Sequence, residues 1–529
     1  MSTTANIVER FCSLTPELVV FCGSVVVGVT GLSKSRSIRN ATSFICTLSL
    51  VLALIAMAQN WGGRVSSGIL LPTVSLYVGA LALLMGIGFV ALATGSMDRL
   101  YEDALSRGVT TFDANKVFRG EFFAFMLLSI CGVMLVPGSP DLIWLFLALE
   151  LTSLPTYIMV AISRGTRRAQ EAAVKYFFLG AMSTAMLVYG FAMLYGSTGS
   201  LQFVHIKDAL TAQAAMGGID AVGTIGLIMI MIGLCFKMTA APMHFYAPDV
   251  YEGAAAPVTA FLSFIPKIAG LTALLLVLHA AGWGTSLPQS LQATLWMVSV
   301  LTMTLGNVGA ILQRNTKRMM SYSSISHSGY MLMAFIAGPE LGLPALLVYL
   351  LAYGLSNGAL FGGLISVERQ GQEIEKLEDL AGLARRHPSA AAWIALGSAS
   401  LMGMPPFLGF WAKLILFIAV IKAGHTPLVV IAAVNSVISV WYYLRLAGVP
   451  ILSPAGPAAE GVVKAPSAWP RLAAMVFGIS VLLLPFFLNR IMNAATAAAR
   501  PVPNATTLEV QKATAVVIAP TVVDRTHPN

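Results

Sequence analysis

The chain has 529 residues, of which 57% are apolar and only 10% are charged. With a mean hydropathy of +0.80, this composition excludes a soluble multidomain protein and predicts an all-α polytopic membrane protein. The net charge of +9 does not indicate a nucleic-acid partner, because the basic residues are distributed among loops and do not form one patch.

Apolar segments predict about fourteen transmembrane helices. The first is expected to be retained, because no basic n-region or small-residue cleavage site accompanies it. The twelfth is long enough to require a break. The predicted spans lie near residues 16–32, 41–59, 69–94, 121–138, 141–162, 172–196, 221–241, 257–281, 290–312, 318–337, 342–367, 389–423, 427–448 and 471–490.

The basic residues predict the orientation of these spans. Loops after odd-numbered spans carry 20 of the 32 lysines and arginines, and the opposite side carries eight. Since basic loops stay on the cytoplasmic side, both termini are predicted to be outside. The four remaining basic residues fall within predicted spans and need another explanation: Lys175, Lys237, Lys267 and Lys413.

Span five contains an acidic residue near its middle. Glu150 lies roughly 13 Å from either end of its span, at about 1.5 Å per residue. An acidic or basic residue at such depth costs about 2.5 to 3.5 kcal/mol, so Glu150 should face other helices and have a partner. Lys237 follows about fifteen apolar residues and so lies roughly 22 Å along its segment, too deep to reach the near side, whereas Lys175 is close enough to a span end to reach the interface.

Two prolines predict discontinuous helices. Pro242 interrupts span seven just after Lys237, and Pro406 interrupts span twelve just before Lys413. The similar surroundings of the two breaks predict two inverted five-helix repeats. The predicted divisions are three N-terminal helices (1–119), the first repeat (120–281), the inverted second repeat (290–448), a loop and last helix (449–490) and a disordered tail (491–529).

Two histidines lie where a proton could be exchanged. His244 follows the break at Pro242, and His327 lies within span ten among four serines. Histidine titrates near neutral pH when unperturbed, so both are candidate relay residues. A purely structural hydrogen-bonding role for His327 stays open. Five cysteines without CxxC spacing indicate neither an iron–sulfur cluster nor a disulfide framework, so no cofactor or metal is expected in this chain.

Several motifs resemble the antiporter-like subunits of respiratory complex I, a proton-translocating NADH-quinone oxidoreductase, and its subunit N branch in particular. These motifs cover about residues 120–445. They are Leu149-Glu-Leu151, Ala172-Ala-Val-Lys-Tyr-Phe177, Ala247-Pro-Asp-Val-Tyr-Glu-Gly253, Pro257-Val-Thr-Ala-Phe-Leu-Ser263, Arg318-Met-Met-Ser-Tyr-Ser-Ser-Ile325, Leu380-Ala-Gly-Leu383, Met404-Pro-Pro406 and Gly409-Phe-Trp-Ala-Lys413.

The resemblance implies a role for six residues. These are the essential acid Glu150, its partner lysine Lys175, the central lysines Lys237 and Lys267, the relay histidine His244 and the exit-side Lys413. We expect Glu150 and Lys175 to lie about 7 Å apart, where their attraction is roughly 2.4 kcal/mol at an effective dielectric near 20. Pro266, immediately before Lys267, departs from the family pattern and is expected to reorient that lysine.

The resemblance also implies the setting of this subunit. NADH, FMN, iron–sulfur clusters and quinone are expected in partner subunits, and the membrane partners are the antiporter-like subunit M and the small subunits K, J and A. The expected location is a bacterial inner membrane, and the expected function is proton translocation without redox chemistry in this chain. A subunit of a sodium/proton antiporter is the main alternative, and a stand-alone solute carrier or a structural membrane spacer are the others.

Overall fold

The computed structural model describes residues 14–59, 70–113, 116–285, 287–454 and 461–500. The N-terminal unit contains three long helices and one short helix in the polar loop that follows them. They are α1 (Thr15–Gly31), α2 (Arg36–Gln59), α3 (Pro72–Ala93) and α4 (Arg99–Ser106). Prolines in the first turns of α1 and α3 are tolerated, because those backbone N–H groups have no partner within the helix.

The next part contains the first break. Its helices are α5 (Arg119–Leu135), α6 (Leu142–Ile162), α7 (Arg167–Thr198), α8 (Phe203–Ala215), α9 (Ala221–Met238), α10 (Ala247–Gly253), α11 (Ala256–Leu262) and α12 (Ile265–Ala280). Helix α9 ends at Met238 and the chain resumes as helix at Ala247, so the predicted interruption at Pro242 is present. The sequence did not predict α8, whose 13 residues are too short to cross a bilayer.

The second break lies between two 15-residue helices. The helices of this part are α13 (Gln289–Ile311), α14 (Thr316–Ile336), α15 (Pro339–Ile365), α16 (Leu383–Arg386), α17 (Pro388–Met402), α18 (Leu408–Lys422) and α19 (Thr426–Leu452). The prediction of a broken twelfth span is therefore confirmed by α17 and α18. The chain ends with α20 (Trp469–Leu483) and α21 (Leu488–Ala499).

Helix α21 occupies the start of the segment for which disorder was predicted. Its residues up to Ala499 are helical, whereas 501–529 lie outside the described residues. Alanine-rich composition explains the difference, since alanine has the highest helix propensity and the segment packs on α3 and α15.

Within the described residues, eleven helices or helix pairs are long and apolar enough to cross a membrane. Three further predicted spans coincide with α1, with the serine-rich α14 and with the broken pair α17 and α18. The all-α polytopic membrane architecture is thus confirmed, while the count of fourteen crossings and the two repeats stay predictions. Helices α12, α14 and α15 form the centre, and nearly all of their side chains are buried.

The loops after odd-numbered spans converge on one side, here called the basic-loop side. Strand β1 (Val367–Arg369) pairs antiparallel with β2 (Gln372–Glu373) and with β3 (Val462–Lys464), which joins two of these loops in a small sheet. Ion pairs connect the other loops to the sheet. Arg99 pairs with Glu368, and Arg164 pairs with Glu373 and Glu375. The predicted alternation of loops is therefore consistent with the structure.

Candidate functional site

The site is built around an ion pair between α6 and the end of α9. Lys237 Nζ donates to Glu150 Oε1 at 3.1 Å and to Ser153 Oγ at 2.7 Å. The hydroxyl of Thr184 on α7 donates to the same carboxylate oxygen at 2.9 Å. Only 3% of the Lys237 side chain is exposed. Three helices therefore hold a charge pair whose lysine is shielded from water.

The helix break explains the position of Lys237. Helix α9 ends because Thr239 adopts a left-handed conformation with φ of 59°, which is unfavourable for a β-branched residue. Lys237 consequently lies in the last turn, where the partial negative charge of the carbonyl end favours a cation. At Gly270 an added Cβ would lie 3.0 Å from Lys237 Cβ, so glycine permits the close approach of α12 to α9.

Lys267 lies in a different environment, at the beginning of α12. Its Nζ atom donates to the carbonyl of Ser324 at 2.5 Å and to the Ser324 hydroxyl at 2.9 Å. The hydroxyl of Tyr353 is 3.5 Å away and its ring lies beneath the ammonium group. These acceptors are neutral, and the beginning of a helix carries partial positive charge, so this site offers the ammonium less compensation than the Lys237 site.

Pro266 fits the start of α12. The helical run is interrupted between Leu262 and Ile265, and Pro266 occupies the first turn of the new helix, where it is compatible with helix geometry. The helix restarts at Ile265, and this restart determines the direction in which Lys267 projects. Pro266 is therefore expected to affect Lys267.

Helix α14 connects the two lysines. Ser324 and Ser328 are one helical turn apart, and Ser328 Oγ donates to the carbonyl of Met238 at the end of α9 and, at 3.2 Å, to the carbonyl of Ser324. Tyr353 Oη donates to Ser324 Oγ at 3.0 Å. A continuous set of polar contacts therefore extends from the residue after Lys237 to Lys267.

His327 occupies the centre of the same helix and is almost completely buried. Its Nδ1 atom is 2.8 Å from Tyr349 Oη on α15, and its Nε2 atom is 3.0 Å from Tyr443 Oη on α19. Tyr443 Oη also has a short hydrogen bond with Ser323 Oγ. His327 is thus satisfied by hydrogen bonds, as its structural interpretation required, in a network that is also suited to proton exchange.

Lys413 is held at the second break. Its Nζ atom donates to the carbonyl of Met402 at 3.0 Å, at the end of α17, and lies over the ring of Tyr330. Gly403 has φ of +90°, and an added Cβ would lie 3.1 Å from Lys413 Cδ, so glycine allows both the turn and the lysine. Lys237 and Lys413 share one feature, a place at the carbonyl end of a half-helix: Lys237 lies in the last turn of α9, and the Lys413 ammonium group binds the carbonyl of the last residue of α17.

His244 lies in the first break but does not contact the lysines. It is 6% exposed, and its Nδ1 atom has no hydrogen-bond partner within the part of the chain that the structure describes. An unpaired buried nitrogen is unusual in native proteins. The structure therefore brings His244 to the break, as predicted, without connecting it to Lys237 or Lys267.

The predicted pairing of Lys175 with Glu150 is wrong for this structure. Lys175 Nζ binds Glu171 at 2.7 Å and Asp249 at 3.0 Å, and 45% of its side chain is exposed. The reason is its place near the start of α7, which lets the side chain reach the basic-loop side, whereas Glu150 is directed toward α9. Lys175 belongs instead to a surface cluster in which Arg318 also binds Asp249, at 2.8 Å.

Sequence reasoning missed the tyrosines. Tyr349, Tyr353 and Tyr443 provide hydroxyl groups to the polar interior, and all three are buried. In the sequence, their aromatic rings made them indistinguishable from the apolar residues around them. A usable signal existed in the spacing of Tyr349 and Tyr353, which are four residues apart and so share a helix face.

The donor set does not resemble a metal centre. Among the described residues, no three His, Cys, Asp or Glu side chains lie close enough to hold a metal ion. The described cysteines, Cys22, Cys46, Cys131 and Cys235, are free thiols. The ionisable side chains that the helix breaks bring into the interior are those of Glu150, Lys237, Lys267, His327 and Lys413, which can bind or release protons.

Comparison with known proteins agrees with this geometry. A family model described as "NADH:quinone oxidoreductase/Mrp antiporter, TM" matches residues 139–439, more than half of the chain. The chain belongs to this family. The match covers both helix breaks and every candidate site residue, from Glu150 to Lys413.

Relatives within the NADH:quinone oxidoreductase/Mrp antiporter family carry the name NADH-quinone oxidoreductase subunit N. The one from Beijerinckia indica is 38% identical over 399 residues, which cover 75% of this chain and 81% of that protein. The one from Halorhodospira halophila is 34% identical over 487 residues, covering 91% and 97%. The predicted resemblance to subunit N is confirmed.

Solved structures of the family share the fold. A chain of respiratory complex I from Thermus thermophilus superposes with a TM-score of 0.73 at 30% identity, covering 91% of this chain and 99% of that one. A chain of the Mrp complex from Dietzia sp. superposes with a TM-score of 0.76 at 20% identity, covering 95% and 98%. The second likeness concerns the fold alone, so fold does not separate the two kinds of complex.

Proposed function

We propose that this chain translocates protons as a membrane-arm subunit of an NADH:quinone oxidoreductase. The proposed relay consists of Glu150, Lys237, Lys267, His327 and Lys413, with His244 exchanging protons at the first break. NADH oxidation and quinone reduction take place in partner subunits that hold FMN and iron–sulfur clusters. This chain contributes no redox group and moves protons in response to events in those partners.

One observation carries the proposal: the contact between the buried Lys237, at the end of a broken helix, and Glu150, whose side chain is 16% exposed. Lys237, Lys267 and Lys413 are all buried, yet within the described part of the chain only Lys237 of these three has a carboxylate contact. Uncompensated charge in a membrane interior is costly and typical of ion pathways. A structural spacer would gain nothing from three such lysines, and a solute carrier would need groups shaped around a substrate.

The lysine environments differ in a way that suits proton exchange. Lys237 has a carboxylate and a helix carbonyl end, both of which favour its protonated form. Among the described residues, the partners of Lys267 are serine and tyrosine oxygens, at the positive end of α12. We propose that Lys237 holds a proton while its contact with Glu150 is intact, and transfers it toward Lys267 when that contact breaks.

The surface around Glu150 supports a partner on this side. Ile143, Leu147, Leu154 and Ile158 are exposed on one face of α6, and Glu150 belongs to the same stripe with 16% of its side chain exposed. A carboxylate facing lipid at mid-span would be unfavourable. We propose that another membrane-arm subunit covers this face, either the antiporter-like subunit M or one of the small subunits K, J and A.

The basic-loop side supports proton access from the cytoplasm. A cavity of about 1150 Å³ opens there, bounded by the loops after the third, fifth and eleventh predicted spans and lined by Arg164, Glu373 and Glu375, among others. By the positive-inside rule this side is cytoplasmic, in the inner membrane of a bacterium, with both termini outside. We propose that protons are taken up from this side and released beyond Lys413.

The proposed function is tested in the assembled complex reconstituted into vesicles, with NADH-driven proton transport as the readout. Lys413→Gln should abolish transport, and Lys422→Gln, which changes an exposed lysine on the same helix, should leave it unchanged. NADH oxidation by a soluble acceptor should stay normal in both variants. Unchanged transport by an assembled Lys413→Gln complex would refute the assignment of Lys413.

Copurification separates the proposal from the sodium/proton antiporter alternative, which the shared fold allows. Flavin and iron–sulfur subunits that copurify with this chain support the oxidoreductase. Their absence, together with sodium-dependent proton exchange by the purified assembly, would support the antiporter.

A further inference from the structure

Both ring nitrogens of His327 face tyrosine hydroxyl groups from different helices. Tyr349 on α15 lies at Nδ1 and Tyr443 on α19 lies at Nε2, at 2.8 and 3.0 Å. The imidazole itself is on α14, so three helices meet at one side chain. A neutral imidazole donates through one nitrogen and accepts through the other, so one tyrosine donates to it while the other accepts.

The other partners of the two tyrosines decide the direction. Tyr443 Oη has a second hydrogen-bond partner, the hydroxyl of Ser323. Tyr349 Oη has no hydrogen bond except that with His327 in the part of the chain that the structure describes. Each hydroxyl has a single proton, and a buried donor without an acceptor is costly.

Only one arrangement satisfies all three side chains. If Tyr349 donates to Nδ1, then His327 donates from Nε2 to Tyr443, and Tyr443 donates to Ser323. In the reverse arrangement Nδ1–H donates to Tyr349, and the buried hydroxyl proton of Tyr349 is left without an acceptor. The satisfied arrangement therefore contains the Nε2–H form of His327.

We propose that Tyr349 and Tyr443 are positioning residues that fix His327 in its Nε2–H form. The proposal has a second part: the Tyr349 hydroxyl is hydrogen-bonded to Nδ1, the only nitrogen at which the imidazole can accept a further proton. The second part rests on the proposed proton relay. Uptake of a proton by His327 then requires Tyr349 to rotate away from Nδ1. One N–H bond forms at Nδ1, and one N–H bond breaks on the donor, a lysine ammonium of the relay.

The surroundings agree with such a gate. Among the described residues, Lys267 and Lys413 are the lysines whose charges act on His327. Tyr353 lies one turn from Tyr349 on α15, with its ring 5.0 Å from the imidazole, and belongs to the Lys267 contacts. Tyr349 therefore lies one helical turn from a residue that contacts Lys267 and binds the nitrogen at which the imidazole would receive a proton.

The experiment is nitrogen-15 NMR of the assembled complex with labelled histidine, with the His327 signals assigned by their loss in His327→Gln. The expected wild-type spectrum at neutral pH contains the Nε2–H form with a hydrogen-bonded Nδ1. Tyr349→Phe should move the Nδ1 resonance to the position of a nitrogen without a donor and leave the proton on Nε2. The control is Tyr101→Phe, which removes a tyrosine hydroxyl bound to the backbone carbonyl of Thr111 in the polar loop after α3 and should leave the spectrum unchanged.

A wild-type spectrum with the proton on Nδ1, or with both nitrogens protonated, would overturn the assignment whatever the variants do. Proton transport is measured separately on the same complexes. Normal transport by His327→Gln would remove His327 from the proposed function while leaving its assigned form intact. An Nε2–H form combined with normal transport by Tyr349→Phe would contradict the gate alone.

Discussion

Lys237 Nζ and Glu150 Oε1 are 3.1 Å apart, although 87 positions separate the two residues in the chain. This contact joins the acid in the middle of α6 to the end of the broken helix α9. It also leaves Lys175, on the surface of α7, outside the buried pair. The charge pair in the first half of the molecule is therefore Glu150 with Lys237. The Ser153 hydroxyl accepts a hydrogen bond from Lys237, and the Thr184 hydroxyl donates one to Glu150.

Replacement of Glu150 with Gln should reduce proton transport by about tenfold or more. At about 4 Å and an effective dielectric of 20, the lost attraction is about 4 kcal/mol, and 1.4 kcal/mol corresponds to tenfold in an equilibrium. Lys237 would then lose its proton too readily to hold one. NADH-driven transport in vesicles measures the effect, with electron transfer to a soluble acceptor as the control for assembly. Wild-type transport by an intact Glu150→Gln complex would contradict the importance of this pair.

Lys175→Gln should have a much smaller effect than Glu150→Gln, within about twofold. Its two ion pairs lie at the surface, where such contacts contribute about 0 to 1 kcal/mol. Glu171→Gln, which removes one of the same contacts from the acidic side, is the matched control. If Lys175→Gln abolished transport while Glu171→Gln did not, Lys175 would have the direct role in the relay that the family resemblance implies.

A buried ion pair in the N-terminal unit predicts acid-dependent stability. Arg39 binds Glu102 through two hydrogen bonds of 2.7 and 2.9 Å, and neither side chain is more than 4% exposed. Burial alone would raise the pKa of Glu102, but the hydrogen bonds and charge of Arg39 lower it overall from its ordinary value of 4.5. The pair therefore stabilises the fold above that pH, and its contribution is lost as the pH falls through the lowered pKa.

The Glu102→Gln variant tests this directly. Removing one partner of a buried pair costs about 3 to 5 kcal/mol, so the Tm of the purified protein should fall at pH 7. The difference in Tm from wild type should narrow as the pH falls below the ordinary carboxyl value of 4.5 and through the lowered pKa of Glu102, because the wild-type carboxylate then also becomes protonated. Glu340→Gln, at an exposed position, should leave the Tm unchanged. A constant difference at all pH values would show that the charge of Glu102 is not responsible.

The sequence was sufficient to predict the features that depend only on the position of a residue along the chain. Pro242 and Pro406 predicted the two interruptions, because proline in a helix interior removes a hydrogen bond and kinks or breaks the helix, and the depth of Glu150 and Lys237 in their spans was recognised because apolar residues flank them. Depth along a span follows directly from residue count at about 1.5 Å per residue. These predictions needed no information on how the helices pack.

Features that depend on the direction of a side chain could not be predicted in this way. Residue count gives the depth of Lys175 but not the side of α7 from which it projects, and so its partner was assigned wrongly. Tyr349 and Tyr443 were missed because the sequence does not show which groups hydrogen-bond to a buried tyrosine hydroxyl. Strands β1 to β3, of two or three residues each, are too short to produce a detectable period.

The most direct test of the account is proton transport by the Lys237→Arg complex. Arginine keeps the positive charge beside Glu150 but does not lose its proton under physiological conditions, so it separates the charge of Lys237 from its ability to exchange a proton. We predict an assembled complex that oxidises NADH with a soluble acceptor at the normal rate and transports protons at a small fraction of the wild-type rate. Normal proton transport by this variant would contradict the central claim that Lys237 releases and rebinds a proton.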